Sequence, residues 1–181
     1  MTSDLQSLDE ALASNERAVR QVVSGLTQAQ LESQPTGGWS ILQCLEHVTL
    51  SNESYTHAIG KCLHASQRPR RGTIAPSAGG RWFLTQLEPP VTRRVRAPSR
   101  IAPGSGRTSG EILRAFDQSH AKIRKLIPLA STRDLNAIKF RNPLLPLLRV
   151  RAGTGFLIMA AHERRHLWQA NKVRESILGT T

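Results

Sequence analysis

The sequence predicts an all-α protein, a four-helix bundle with long crossover loops. Three observations predict it. Four separate stretches carry apolar residues at three- and four-residue spacing, the period of an amphipathic helix. Three Ser/Thr-x-x-Glu/Gln boxes stand where helices would begin. No stretch alternates apolar and polar residues as a half-buried strand does.

Leu5, Leu8, Leu12, Val19, Val22, Val23 and Leu26 mark the first helix, over residues 4–25, with Gly25 at its end. Thr27-Gln28-Ala29-Gln30 opens a short turn of helix, and Pro35 with Gly37-Gly38 breaks the chain. Ser40-Ile41-Leu42-Gln43 opens the second long helix, which runs to about His64 with Ile41, Leu45, Val48, Tyr55 and Ile59 facing the core. From Ser66 to Thr108 the chain turns rich in Pro, Gly, Ser and Arg. A connection of that length calls for local structure or a function, and a short helix is expected near Trp82 to Leu87. Thr108-Ser109-Gly110-Glu111 opens the third long helix, and Pro128 is expected to stop it. Residues 131–152, holding Pro143 and Pro146, read as another connection. The last helix spans about Thr154 to Ile177.

The 181 residues are 39% hydrophobic, enough for one domain, 1–181, with a proper core. No run is long enough to span a membrane, and the N-terminus lacks the pattern of a secretion signal. Two cysteines, Cys44 and Cys62, make no disulfide framework, so a reducing cytoplasm is expected. The net charge is +12, and residues 68–107 hold nine arginines against one acid, Glu88. With aromatics at 4%, a base-stacking surface is poorly supplied. That stretch reads as a solvated loop, or as arginines attracting a small anionic substrate, rather than a nucleic-acid surface.

The chemistry-bearing motif is His162-Glu163-Arg164-Arg165-His166. Histidines four apart share one helix face, so both reach one metal ion. Ile158, His162, His166 and Ala170 form one row that Val173 and Ile177 continue, which turns the pair inward. Neutral imidazoles there suit Zn, Ni, Fe or another borderline divalent ion. Two packing histidines would give the same spacing. The motif also matches the zinc-protease pattern with Glu163 as base. Against that, Gln169 and Lys172 occupy the positions where one protease subclass needs Gly and His, and no sheet to hold a peptide is predicted. Glu163 points about 100° away from its neighbour and reads as a partner for Arg164, Arg165 or another helix. Cys44 reads as a buried apolar residue before a fourth ligand. His120 reads as a packing or surface residue, Trp39 as packing at the bundle end, and His57 and His64 carry no pattern.

Two stretches resemble the DinB/YfiT-like superfamily: Gly38-Trp39-Ser40-Ile41 leading to His47, and Phe156 to Gln169 ending His-Glu-Arg-Arg-His-Leu-Trp-Gln. The segments Arg96-Ala97-Pro98 to Ala102-Pro103 and Asn142-Pro143 are similar to loops of that family. The resemblance implies a four-helix bundle of unusual crossover topology. Position by position, it implies that His47, His162 and His166 ligate one divalent metal ion (Zn, Ni, Fe or Mn). It also implies a homodimer and, in some members, transfer of a small thiol such as bacillithiol or mycothiol to a small-molecule substrate. The expected function is therefore a metal-dependent thiol transferase or related hydrolase with a low-molecular-weight thiol as second cofactor. The alternative is a metal-binding, stress-associated dimeric bundle without catalysis.

Overall fold

The computed structural model describes residues 2–34, 38–91 and 96–179; Pro35, Gly37, Arg93 and Arg94 lie outside them. Four long helices are present, α1 Ser3–Val23, α3 Ile41–Ala65, α5 Ser109–Thr132 and α6 Ala152–Gly179. Two short ones, α2 Gln28–Glu32 and α4 Ala78–Leu87, lie in the connections. All three capping boxes form: the side chains of Thr27, Ser40 and Thr108 accept from the backbone three residues on, and Gln30, Gln43 and Glu111 reach back.

Packing sets the order around the bundle as α1, α5, α3, α6. Helices α1 and α3 barely touch although they follow one another in the chain, and α5 and α6 stand across the bundle from each other. Residues 24–40 and 133–151 carry the chain across these diagonals, whereas the longest connection, 66–108, joins the neighbours α3 and α5.

Three expectations are corrected. Pro128 does not stop α5, which continues one turn to Thr132. Pro removes an N–H from the helix ladder. Here Ile127 and Ala130 are buried on either side of it, so tertiary burial holds the last turn. Strand does occur: β1 Lys139–Arg141 pairs antiparallel with β2 Arg149–Arg151, inside the stretch expected to be a plain connection. Three residues are too few to show a period of two. The first helix ends at Val23, two residues short of Gly25, whose φ of +72° belongs to the turn beyond.

The hairpin is keyed into the bundle by Phe140, which is 2% exposed and packs edge-on to Tyr55. Its ring takes the space left by Gly155: a Cβ there would lie 2.7 Å from Phe140 Cζ and 2.9 Å from Ile59 Cδ1. Gly155→Ala is therefore expected to destabilise the fold by about 1–3 kcal/mol through overpacking. A urea-unfolding midpoint equal to wild type would contradict this.

The core divides into two apolar clusters. One holds Leu5, Leu12, Ile59, Ile123 and Phe156, the other Val19, Ile41, Leu45, Phe116 and Val173. Between them each long helix contributes a buried polar side chain, Asn15, Asn52, His120 and Glu163.

Candidate metal centre

His47 sits in the second turn of α3, seven residues after its Ser40 cap, and His162 and His166 sit one turn apart on α6. Because α3 and α6 pack side by side, the three imidazoles converge. Ring centroids lie 5.0 Å apart for His47–His162, 4.5 Å for His47–His166 and 4.6 Å for His162–His166. One nitrogen from each falls within 4.8 Å of the others. Trp39 covers the cluster, 4.7 Å from His47 and 5.7 Å from His166, so it does pack at the bundle end as its position before the Ser40 cap implied.

Two of the rings have their orientation set from behind. His47 Nδ1 is 2.7 Å from the Ile101 carbonyl, an acceptor, so Nδ1 carries the proton and Nε2 presents a lone pair. His166 Nδ1 is 3.1 Å from Gln169 Oε1, with the same consequence. The loop carrying Ile101 is tied to α3 once more by Glu46, which accepts from Gly104 N at 2.8 Å and Arg107 Nη1 at 3.1 Å. Arg107, one of the nine loop arginines, thus serves the scaffold. So does Arg70, bound to Asp4 and to the Ala130 carbonyl.

Electrostatics keep the three rings neutral. Burial pushes His47 below the ordinary imidazole range, His162 down to about 3, and His166 well below its usual value. The nearby Arg165 guanidinium adds to the depression in all three. Burial lowers Arg165 in turn, and its Nη1 donates to the Gln86 carbonyl at 3.0 Å.

The sequence profile of the DinB superfamily matches residues 11–170, nearly the whole chain. The chain belongs to the DinB superfamily. No curated protein and no solved structure matches it.

The donor set of this DinB-superfamily chain fits a divalent ion. Nε2 of His47 and Nε2 of His162 face each other at 3.3 Å. Ligand nitrogens about 2.0–2.1 Å from a shared tetrahedral ion stand about 3.3 Å apart. His162 Nδ1 is buried with no hydrogen-bond partner. With the proton of His47 on Nδ1, the 3.3 Å contact is either a His162 Nε2–H donated to the bare His47 Nε2 or two facing lone pairs that a cation would bridge.

Other candidates fall outside this set. Cys44 is fully buried among apolar residues, its thiol pushed up to about 12, which suits packing and not ligation. His57 and His64 are exposed. Glu163 faces away from the triad into the polar layer. Its Oε2 accepts from Asn15 Nδ2 at 2.6 Å, and its Oε1 accepts from Asn52 Nδ2 at 2.7 Å and His120 Nε2 at 3.0 Å. A carboxylate so engaged is not placed as the base of a zinc protease. His120, completely buried, also stands 3.0 Å from Glu16 Oε1. The sequence signal for this layer is a polar residue breaking each apolar row, such as Asn15 between Leu12 and Val19.

Proposed function

We propose that His47, His162 and His166 hold one divalent metal ion and that the protein is a metal-dependent enzyme acting on small molecules. The specific reading is a transferase of a small thiol, of bacillithiol or mycothiol type, or a related hydrolase. The observation that carries it is the convergence of three neutral imidazoles, two of them oriented by acceptors on Nδ1. A three-nitrogen site leaves coordination positions for a further ligand. A bound ion of this class lowers the pKa of a thiol or water and supplies a nucleophile near neutral pH. The chain's own residues do the rest. Ile101 and Gln169 fix the tautomers of His47 and His166. Trp39 shields one side from water. Arg165 places a cation beside the site, suited to a carboxylate of a small thiol or its substrate.

The test is elemental analysis of tag-free protein, followed by thiol-conjugation and hydrolysis screens on the loaded form. Metal at about one ion per chain with turnover supports the enzyme. Metal without turnover favours the second reading, a non-catalytic dimeric metal-binding bundle.

The depressed imidazoles also set a pH dependence. A histidine held neutral in the fold takes up its proton only well below the ordinary value of about 6.5, whereas the unfolded chain takes it up near that value. The unfolded state therefore binds more protons as pH falls. Metal-free protein is expected to lose stability from about pH 6.5 downward, the loss continuing toward the His162 value of about 3. Denaturation midpoints measured between pH 7.5 and 5 read this directly, before the carboxylates begin to titrate. A flat profile across that interval would contradict it.

A further inference from the structure

The connection between β1 and β2, residues 142–148, presents the densest apolar surface among the described residues. Leu145 is 45% exposed, Leu147 98% and Leu148 50%. The tip is nonetheless firmly built. Asn142 is buried, accepts from the backbone N–H of Leu144 and Leu145, and donates to the Tyr55 hydroxyl at 2.8 Å. Asn142 N donates to the Leu148 carbonyl and Leu148 N to the Leu145 carbonyl. Pro143 and Pro146 remove two N–H groups and restrict the backbone further. The backbone N–H groups of Asn142, Leu144, Leu145 and Leu148 are thus paired within the tip, which lowers the cost of bringing it to an apolar phase.

Directly behind the leucines lies a cationic face. The register sets Lys139 opposite Arg151 and Arg141 opposite Arg149. Residues opposed across an antiparallel pair share a face, so all four cations stand on one side, and Phe140 and Val150 take the other. None of the four enters an ion pair among the described residues. Like charges directly opposite one another oppose hairpin formation, a cost that an anionic surface would offset.

We propose that the 142–148 tip docks the protein on an anionic lipid surface. Leu145, Leu147 and Leu148 enter the acyl boundary, and the exposed Lys139, Arg141 and Arg149 meet the phosphate headgroups, while Arg151 Nη1 donates to the Ala75 carbonyl at 2.8 Å. Convex shape favours lipid, because a protruding tip inserts where a groove would receive. The depth order, apolar in front and cations behind, is that of acyl chains beneath headgroups. The tip has no aromatic ring to stack on a nucleic-acid base. A second copy meeting tip to tip would set four cations against four. The contact is peripheral, since no described helix is long and apolar enough to cross a membrane.

The test is co-sedimentation of the full chain with phosphatidylcholine vesicles, with and without phosphatidylglycerol, at low and high salt. Wild type is expected to bind the mixed vesicles and to lose affinity severalfold as salt rises. Leu147→Asp is expected to weaken binding about tenfold or more. An Arg141→Glu, Arg149→Glu variant is expected to lose the preference for anionic lipid. Both changes are at exposed positions, and far-UV circular dichroism confirms the fold. Absence of vesicle binding, or binding unchanged in Leu147→Asp, overturns the proposal. So does a wild-type dimer that Leu147→Asp splits to monomer without any vesicle binding, which would assign the tip to an interface between copies.

Discussion

Replacing His162 and His166 together by alanine is expected to abolish metal uptake while the bundle stays folded. The change removes two of three converging nitrogens, and His47 alone cannot retain a divalent ion against water. In the wild type, an ion at a hundredfold excess over its Kd adds about 2.7 kcal/mol of stability. For a chain of this size that is a rise in Tm of roughly 5–10 °C. The variant is expected to show no rise with added Zn, Ni, Mn or Fe. Helical content should persist, because both positions lie at the Trp39 end of the bundle, away from the cluster built on Leu5, Ile59 and Phe156. A wild type that purifies without metal and takes up none of these ions would remove the metal reading and leave three packed histidines.

Glu163→Ala is expected to cost more stability than Gly155→Ala, about 3–5 kcal/mol. The carboxylate is completely buried and accepts from three donors on three other helices, Asn15 on α1, Asn52 on α3 and His120 on α5. Removing it strands those donors between two apolar clusters, and each unsatisfied buried group adds its own desolvation penalty. Glu163→Gln keeps the shape and one acceptor oxygen but turns an amide N–H₂ toward donors, so an intermediate loss is expected. Urea unfolding of the two variants measures both. A loss under about 1 kcal/mol for Glu163→Ala would mean that water or a repacked neighbour replaces the carboxylate. Metal content in Glu163→Gln separates the roles: a structural Glu163 leaves ion binding intact wherever the protein is folded.

The helical architecture was legible because its signals are local. Apolar spacing of three and four and the boxes at Thr27, Ser40 and Thr108 depend on residues within one turn of each other, and all three boxes form. The inward orientation of His162 and His166 follows equally from their row with Ile158 and Ala170. The hairpin was not legible, since three-residue strands joined by a leucine-and-proline loop carry no period. The continuation of α5 past Pro128 was not legible either, because its cause is the burial of Ile127 and Ala130 against other elements.

The residues of this chain by themselves determined the helices, their starting caps, the histidine pair on one face of α6 and the resemblance that points to His47. Only the tertiary structure decided which helices are neighbours. That set His47 of α3 against His162 and His166, brought the Ile101 carbonyl behind His47, and gathered Asn15, Asn52 and His120 around Glu163. The physical reason is range: capping and amphipathic spacing act within a turn or two of chain, whereas ligand convergence and buried hydrogen bonding join residues more than a hundred positions apart, such as His47 and His162 or Asn15 and Glu163.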